Sequence, residues 1–513
     1  MPRPFDFGAV NLTAGGDSIN ARPDPEAPFC IAILGDFSGR ANRKLSDAKT
    51  IGKRRAVLVD RDNFDEVLSK SGAEIQLPIG ESGSSRLRFS ELDDFHPDRV
   101  FERLEAFAKL RNLRIRLQDP STFNEAAAEL GLRPVAPATA KPQTAGTSRG
   151  VPPSVSQLVT GSLLDEMIEQ TESRTPEDRP KRAPDEVREF ARRVAAQHVV
   201  AAPDPRQSEV LTVVDRAIGG LMRAVLHNPD FQALEAAWRA AFLLVRRLET
   251  GPQLKLYLID ISREELAADL SSAGNLHDTG TYRLLVEKSV ETPGAEPWAI
   301  IVGNYSFGPG NEDAALLSRM AAIAYRAGAP FLAAASPRLL GCTSLALAPD
   351  HRRVLQQPDG DWAKLRGFRE AGAVGLALPR FLLRLPYGSK TVPVESVAFE
   401  EFTGQPVHED YLWANPAFAV ALLLGQSFSE DGWEMRPGTS SEIDGLPLHV
   451  YQQNGGSEVK PCAETLLTDE EVEQILDAGV MPLVSFKGQD KVRLARFQSI
   501  ADPPRALSGR WST

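Results

Sequence analysis

The chain has 513 residues, 42% of them hydrophobic, and a formal net charge of −11. That length exceeds what one core usually serves and predicts two or more domains, while the acidic balance argues against a nucleic-acid protein, whose phosphate contacts need clustered Lys and Arg. Cys30, Cys342 and Cys462 are widely spaced and odd in number, which fits neither a disulfide framework nor a zinc site and points to a reducing cytosol; MPRPFDFGAVNL has no apolar signal core, and no apolar run reaches about 18 residues.

Phe5, Phe7, Val10 and Leu12 form a short extended segment that needs a pairing partner, and with the turn-rich AGGDSINARPDPEAP after them they make an N-terminal arm over 1–28. FCIAILGDFSGR predicts a buried strand from Phe29 to Leu34 and a turn from Gly35 to Gly39. Asp62 then caps a helix carrying Phe64, Val67 and Leu68. AEIQLPI and SRLRFSEL read as two strands flanking GESGSS, and DDFHPDRVFERLEAFAKLRNLRIRL as one helix with Val100, Leu104, Phe107 and Leu110 on a face. Together 29–130 make a small α/β or α+β domain. Residues 131–156, rich in Pro, Ala, Thr and Gly, cannot bury enough surface to fold; as a random coil they span about 25–30 Å, enough for the flanking parts to pair.

Within 157–204, Leu163, Leu164, Met167 and Ile168 fall on one helical face, Asp165, Glu166 and Glu169 on the other, and Ser162 precedes them as a cap. A charged tract, TESRTPEDRPKRAPDE, follows. From 205 to 513 helical and strand patterns alternate. Asn228 caps a helix starting at Pro229, whose Phe231, Leu234, Trp238, Phe242, Val245 and Leu248 recur at spacings of three and four. Leu254, Leu256 and Leu258 alternate as a strand does, and Ser262 with Glu265 makes a capping box. Trp298 to Val302 and Phe331 to Ala335 are buried strands around a helix from Asp313 to Tyr325, which predicts a mostly parallel sheet covered by helices. Thr468 with Glu471 opens a last helix, Gly479 lies just past it, and MPLVSF with VRLARF makes a hairpin across KGQD, a small antiparallel extension. The fold class is α/β.

No catalytic, cofactor or metal residues emerge. GDFSGR lacks both the G-x-x-x-x-G-K-[ST] and the G-x-G-x-x-G frame. VGNYSFGPGNED sets glycines between strand and helix, where either a ligand loop or a tight turn belongs. The seven histidines show no paired metal spacing; His408, Glu409 and Asp410 are the nearest to a cluster and read as polar capping. Arg380 and Arg384, four apart among apolar residues, suit either an anion or structural ion pairs.

Several strings carry a family resemblance. HNPDFQALEAAWRAAFLLV, AIIVGNYSFGPG, AGAPFLAAASP, VGLALPRFLLRLPYG, YLWANPAFAVALLL and DGLPLHVY, in that order over about 205–500, resemble the large subunit (TssC, VipB-like) of the type VI secretion contractile sheath. LGDFSGR, VDRDNFDEVL, LRFSELDDFHPDRV and LEAFAKLRNL, in order over about 29–130, resemble its small subunit (TssB, VipA-like). The chain is similar to a fusion of the two, its small α/β sheath domain linked to a larger α/β one.

The resemblance implies a structural, non-enzymatic, cytoplasmic protein. Its implied partners are other sheath subunits, an inner-tube protein and a ClpV-type AAA+ ATPase, with no nucleic acid and no direct membrane insertion. Phe5, Phe7, Val10 and Leu12 would be an inter-subunit strand. Leu163, Leu164, Met167 and Ile168 would be the face docking on the ATPase, the alternative being a helix docked on its own domain. Family large subunits continue beyond the match to FQSIADPP, so the expectation is a large-subunit part lacking its usual C-terminal portion. A non-polymerising adaptor or cap that binds sheath subunits or the ATPase is the alternative function, and an enzyme with a ligand near Gly303 to Gly310 a third.

Overall fold

The computed structural model describes residues 23–79, 83–131, 204, 206–346, 360–453 and 455–512. Phe5, Phe7, Val10 and Leu12, and likewise Leu163, Leu164, Met167 and Ile168, lie outside them. Residues 1–110 and 215–513 make one compact unit and 111–214 a second.

The first unit is built on strands β1 (Phe29–Gly35), β2 (Val57–Val59), β3 (Glu74–Leu77), β4 (Ser85–Arg88), β5 (Leu254–Asp260), β6 (Trp298–Phe307), β7 (Phe331–Ala335), β8 (Val374–Leu378), β9 (Phe381–Leu382), β10 (Trp413–Ala414), β11 (Glu442–Ile443), β12 (His449–Gln453), β13 (Gly456–Lys460), β14 (Val480–Ser485) and β15 (Val492–Leu494). Nine of these form one sheet in the order β11-β15-β14-β8-β7-β6-β1-β5-β2. The six from β14 to β5 are parallel; at the edges β2 pairs antiparallel with β5, β15 with β14, and β11 with β15. The expected hairpin across KGQD supplies β14 and β15. The central strand β1 comes from the small-subunit-like part and sits between two strands of the large-subunit-like part, Ile31 opposite Leu256 on one side and Ile300 on the other.

All seven residues of β1 are buried, because both faces of a parallel sheet are covered. Alternation divides them. Cys30, Ala32 and Leu34 join the core formed with Leu317 and Met320 of the helix Asn311–Ala327. On the other face the Phe29 ring stacks on Phe428 at 4.7 Å, from the apolar helix Ala417–Asp431. The helix Pro229–Arg247 starts as expected: Asn228 Oδ1 accepts the N–H groups of Asp230 (3.0 Å) and Phe231 (3.2 Å). The Ser262 and Thr468 capping boxes both form.

Three local expectations change. The run after Asp93 is broken, with helices at Pro97–Arg103 and Ala108–Gln118 and Leu104 extended between them (φ −75°, ψ 121°). Residues six apart on a straight helix point about 120° apart, whereas the break lets the Phe101 and Phe107 rings meet edge to face at 5.3 Å. The earlier helix Phe64–Ser71 is preceded by Asn63 rather than Asp62, because Asp60 Oδ1 has already drawn the N–H groups of Asp62 and Asn63 (both 3.0 Å) into a turn. Finally, β2 had no sequence reading as a strand. Its exposed side is blunted where Asn63 Nδ2 donates to the Leu58 carbonyl at 3.2 Å, a device suited to an unpaired edge.

The second unit has, among its described residues, the helix Phe123–Glu129 and the neighbouring ends of Ala108–Gln118 and Gln207–Leu226. There Gln207 Nε2 donates to the last carbonyls of the first of these, Leu117 at 2.7 Å and Gln118 at 3.0 Å, groups that a helix end leaves unsatisfied.

Candidate functional site

Open α/β sheets bind ligands outside the carboxyl ends of their strands, where the strand order reverses. Here β5 lies on one side of β1 and β6 on the other, so the crevice opens beyond Gly35, Asp260 and Phe307. The protein fills it with its own charges. Asp260 Oδ1 accepts the N–H groups of Phe37 (2.8 Å) and Ser38 (3.1 Å), and Oδ2 accepts Ser38 Oγ (2.7 Å). Asp36 folds back to accept the N–H groups of Arg40 (2.7 Å) and Ala41 (2.8 Å). Gly39 has φ +73°, and a Cβ there would stand 2.3 Å from the Glu74 carbonyl oxygen, so both conformation and space demand glycine. The donors that would cradle a phosphate in GDFSGR are thus spent on carboxylates. Burial pushes Asp260 above the usual carboxylate range against its bond from Ser38, and the neighbouring Asp36 adds to the rise. Behind them Arg54 reaches Glu265 at 2.5 Å and the Asp260 carbonyl at 2.6 Å, with Arg40 on the same Glu265 at 3.1 Å.

VGNYSFGPGNED resolves as a packing device followed by a turn. Gly303 lies within β6, and a Cβ there would come 2.5 Å from the Phe331 ring. The Gly308 N–H is taken by Asp313 Oδ2 at 2.6 Å, and Asp313 pairs with Arg263.

Arg380 and Arg384 both make ion pairs. Arg384, 8% exposed, lies between two buried carboxylates, Glu235 at 2.9 Å and Glu401 at 2.8 Å, with its guanidinium 4.2 Å from the Tyr387 ring centroid. Arg239 adds bonds to Glu235 (2.7 Å) and to the Tyr387 hydroxyl (3.2 Å). Burial alone would raise the Glu401 carboxyl, but Arg384, His227 and the Tyr387 N–H hold it at about 2. The small-subunit-like part closes this region from the other side: His96 meets the Tyr387 ring edge on at 4.9 Å, and Asp98 accepts the N–H groups of Glu395 (3.1 Å) and Ser396 (2.9 Å). Arg380 pairs with Glu464 at 2.5 Å and with Glu409 at 3.2 Å. His408, Glu409 and Asp410 turn to different partners: His408 to Glu464 (3.2 Å), Glu409 to Arg380, and Asp410 to His227 (3.3 Å). Among the described residues no group of three His, Cys, Asp or Glu side chains is placed to hold a metal ion, and no helix is long and apolar enough to cross a membrane.

Sequence reasoning missed Asp260, Glu235, Glu401 and Asp98. Only Glu235 left a signal, a carboxylate inside the apolar stripe of its helix, between Phe231 and Trp238.

What this arrangement offers is two parts of one chain joined through a shared sheet and through the ion pairs of Arg40 and Arg54 with the buried Glu265. The VipB family profile, described as EvpB/VC_A0108, tail sheath N-terminal domain, matches residues 208–501, more than half of the chain. The chain belongs to the VipB tail-sheath family. A second profile, described as type VI secretion system, VipA, VC_A0107 or Hcp2, matches residues 10–129 upstream of it. The type VI secretion system sheath protein TssC1 of Pseudomonas aeruginosa is 35% identical over 329 residues, covering 62% of this chain and 66% of that relative, just under two thirds of its length. The VipA and VipB matches therefore fall on the two parts that share the nine-stranded sheet, and β1, between β5 and β6, is their deepest junction.

Proposed function

We propose that this VipA–VipB chain is a structural subunit of the contractile sheath of a type VI secretion system, with small-subunit and large-subunit parts joined in one polypeptide. The position of β1 carries the reading: the large-subunit-like strands need a strand of the small-subunit-like part to complete their sheet. Copies assemble with one another around an inner-tube protein in the cytoplasm and contract to drive the tube outward. Work comes from relaxing a metastable packing rather than from a catalysed reaction, and a crevice stoppered by Asp36 and Asp260 supports a non-enzymatic role.

Two segments outside the described residues take roles in the same reading. Phe5, Phe7, Val10 and Leu12 pair as a strand with a neighbouring subunit, since main-chain hydrogen bonds can hold a mesh together while its domains rotate. Leu163, Leu164, Met167 and Ile168 dock on a ClpV-type AAA+ ATPase. Leu164→Asp with Met167→Asp should abolish ATPase binding and leave the fold intact; unchanged binding removes that role.

The deciding experiment is electron microscopy of the purified chain with sedimentation velocity on the same sample. Rings or tubes are the expected result. A uniform monomer that adds to the end of sheaths built from other subunits would overturn the reading.

A further inference from the structure

Beside the ion pair of Arg380 lies a constellation that the sheath role does not use. Lys460, the last residue of β13, directs its amine at His408 Nδ1, 2.9 Å away. The other ring nitrogen of His408, Nε2, lies 3.2 Å from Glu464 Oε1. Glu464 is itself fixed by the Arg380 N–H (2.9 Å) and Nε (2.7 Å). The lysine stands 5.4 Å from the ring centroids of both Tyr411 and Trp413. Since a lysine amine can only donate while it is charged, His408 accepts at Nδ1 and its N–H at Nε2 points to the carboxylate. This is the order nucleophile, base, orienting acid that activated amines and hydroxyls share.

The charges facing Lys460 do not hold it fully ionised. Burial brings the amine down to about 8, against the pull of Glu464 and Glu409, and Arg380 pushes the same way as burial. Glu464 stays ionised: burial would raise it, but His408 and Arg380 hold it at about 2. The base therefore keeps its orienting carboxylate at every pH where the lysine loses its proton.

We propose that Lys460 is a covalent acylation site, activated by His408 and Glu464, that accepts the acyl group of an acyl phosphate. The neutral amine attacks the acyl carbon, the C–N bond forms, and the C–O bond to phosphate breaks with its electron pair leaving on the phosphate. The extra proton on nitrogen passes to His408 Nδ1. The product is an amide, which this constellation cannot hydrolyse readily, so the reaction is a single modification rather than a catalytic cycle. Acylation removes the ammonium charge beside the Tyr411 and Trp413 rings and leaves only a neutral amide N–H where the charged donor faced His408. Lys460 pairs with His449 in the β12–β13 ladder, so the hairpin loses the side chain that ties it to β10.

Acetyl phosphate serves as the probe, with the intact chain and peptide mass spectrometry following each lysine between pH 6 and 9. At pH 7.5 the neutral fraction of Lys460 exceeds that of an ordinary lysine about two-hundredfold, offset about tenfold by its lower basicity. Lys460 should therefore acetylate about twentyfold faster than the exposed Lys70 and Lys364. His408→Gln should slow Lys460 at least tenfold without altering Lys70 or Lys364, and amide exchange across 449–460 should quicken on acetylation. Labelling of Lys460 no faster than that of Lys70 and Lys364 in the unaltered chain would overturn the proposal, and that comparison needs no variant to fold. An unchanged Lys460 rate in folded His408→Gln would overturn it equally.

Discussion

The backbone N–H of Phe37 donates to Oδ1 of Asp260 at 2.8 Å, and the two residues belong to different halves of the chain. The same carboxylate takes the N–H and the hydroxyl of Ser38. Deleting it strands three donors next to a buried loop, at a cost of about 1–3 kcal/mol for each group left unpaired. Asp260→Ala should accordingly lower stability by roughly 3 kcal/mol or more, read from the denaturant midpoint. Asp260→Asn keeps an oxygen for both N–H groups and lets the Ser38 hydroxyl turn to accept, so its cost should stay near 1 kcal/mol.

Breaking the chain inside 132–156 tests the shared sheet directly. Alone, the small-subunit-like part exposes β1, whose seven residues are all buried in the intact chain, and the other part has a slot between β5 and β6. The two pieces made separately should aggregate, while the same pieces made together should co-purify as one soluble complex. Two separately soluble, monomeric pieces would show that each half completes its own core.

Gly303 faces the Phe331 ring at a distance no added methyl can occupy without displacement, since its Cβ would lie 2.5 Å from Cζ and 2.9 Å from Tyr305 Cδ2. Gly303 lies in β6 without the positive φ that would call for glycine, so the requirement is one of space. Gly303→Ala should destabilise by about 1–3 kcal/mol through overpacking, and Gly303→Ala with Phe331→Leu should recover part of it. Thermal unfolding of the single and double variants checks both statements.

The fold was legible wherever pattern and position agree. Asn228, Ser262 and Thr468 announce their helices because a cap is a local hydrogen bond between residues at most three apart. Phe29 to Leu34 reads as a doubly buried strand because its apolar run has no polar face to offer. What stayed hidden depends on partners far along the chain. Val57–Val59 is three residues long and becomes a strand only by pairing with β5, nearly two hundred positions later. Asp260 looks like any carboxylate after a strand, and its role comes from the loop that β1 delivers. Gly303 read as a glycine of a ligand loop or a tight turn because nothing near it in sequence tells of Phe331. The Arg380 and Arg384 alternatives were decided by Glu464, Glu235 and Glu401, which converge only in the folded chain.

Arg384 is the central cation of the buried network, and losing it leaves Glu235 with Arg239 alone and Glu401 with only His227 and the Tyr387 N–H. Arg384→Ala should cost about 3–5 kcal/mol, and Arg384→Lys should recover little, because a single ammonium cannot span two carboxylates as the guanidinium does.

The same pairs fix the response to acid. Glu401 and Glu464 are held at about 2 in the folded chain, below the ordinary glutamate value of about 4.3 in an unfolded one. A depressed folded pKa means that the unfolded chain binds the proton first, so stability falls with decreasing pH between the two values. The contribution is fully present above about pH 5, declines from there, and is lost near pH 2, with each carboxyl worth on the order of 3 kcal/mol. Glu401→Gln should therefore flatten the curve of stability against pH over that window while lowering the plateau above it. Urea unfolding at half-unit steps from pH 7 to 2 reads both effects, and an unchanged slope in the variant would show that Glu401 does not titrate there.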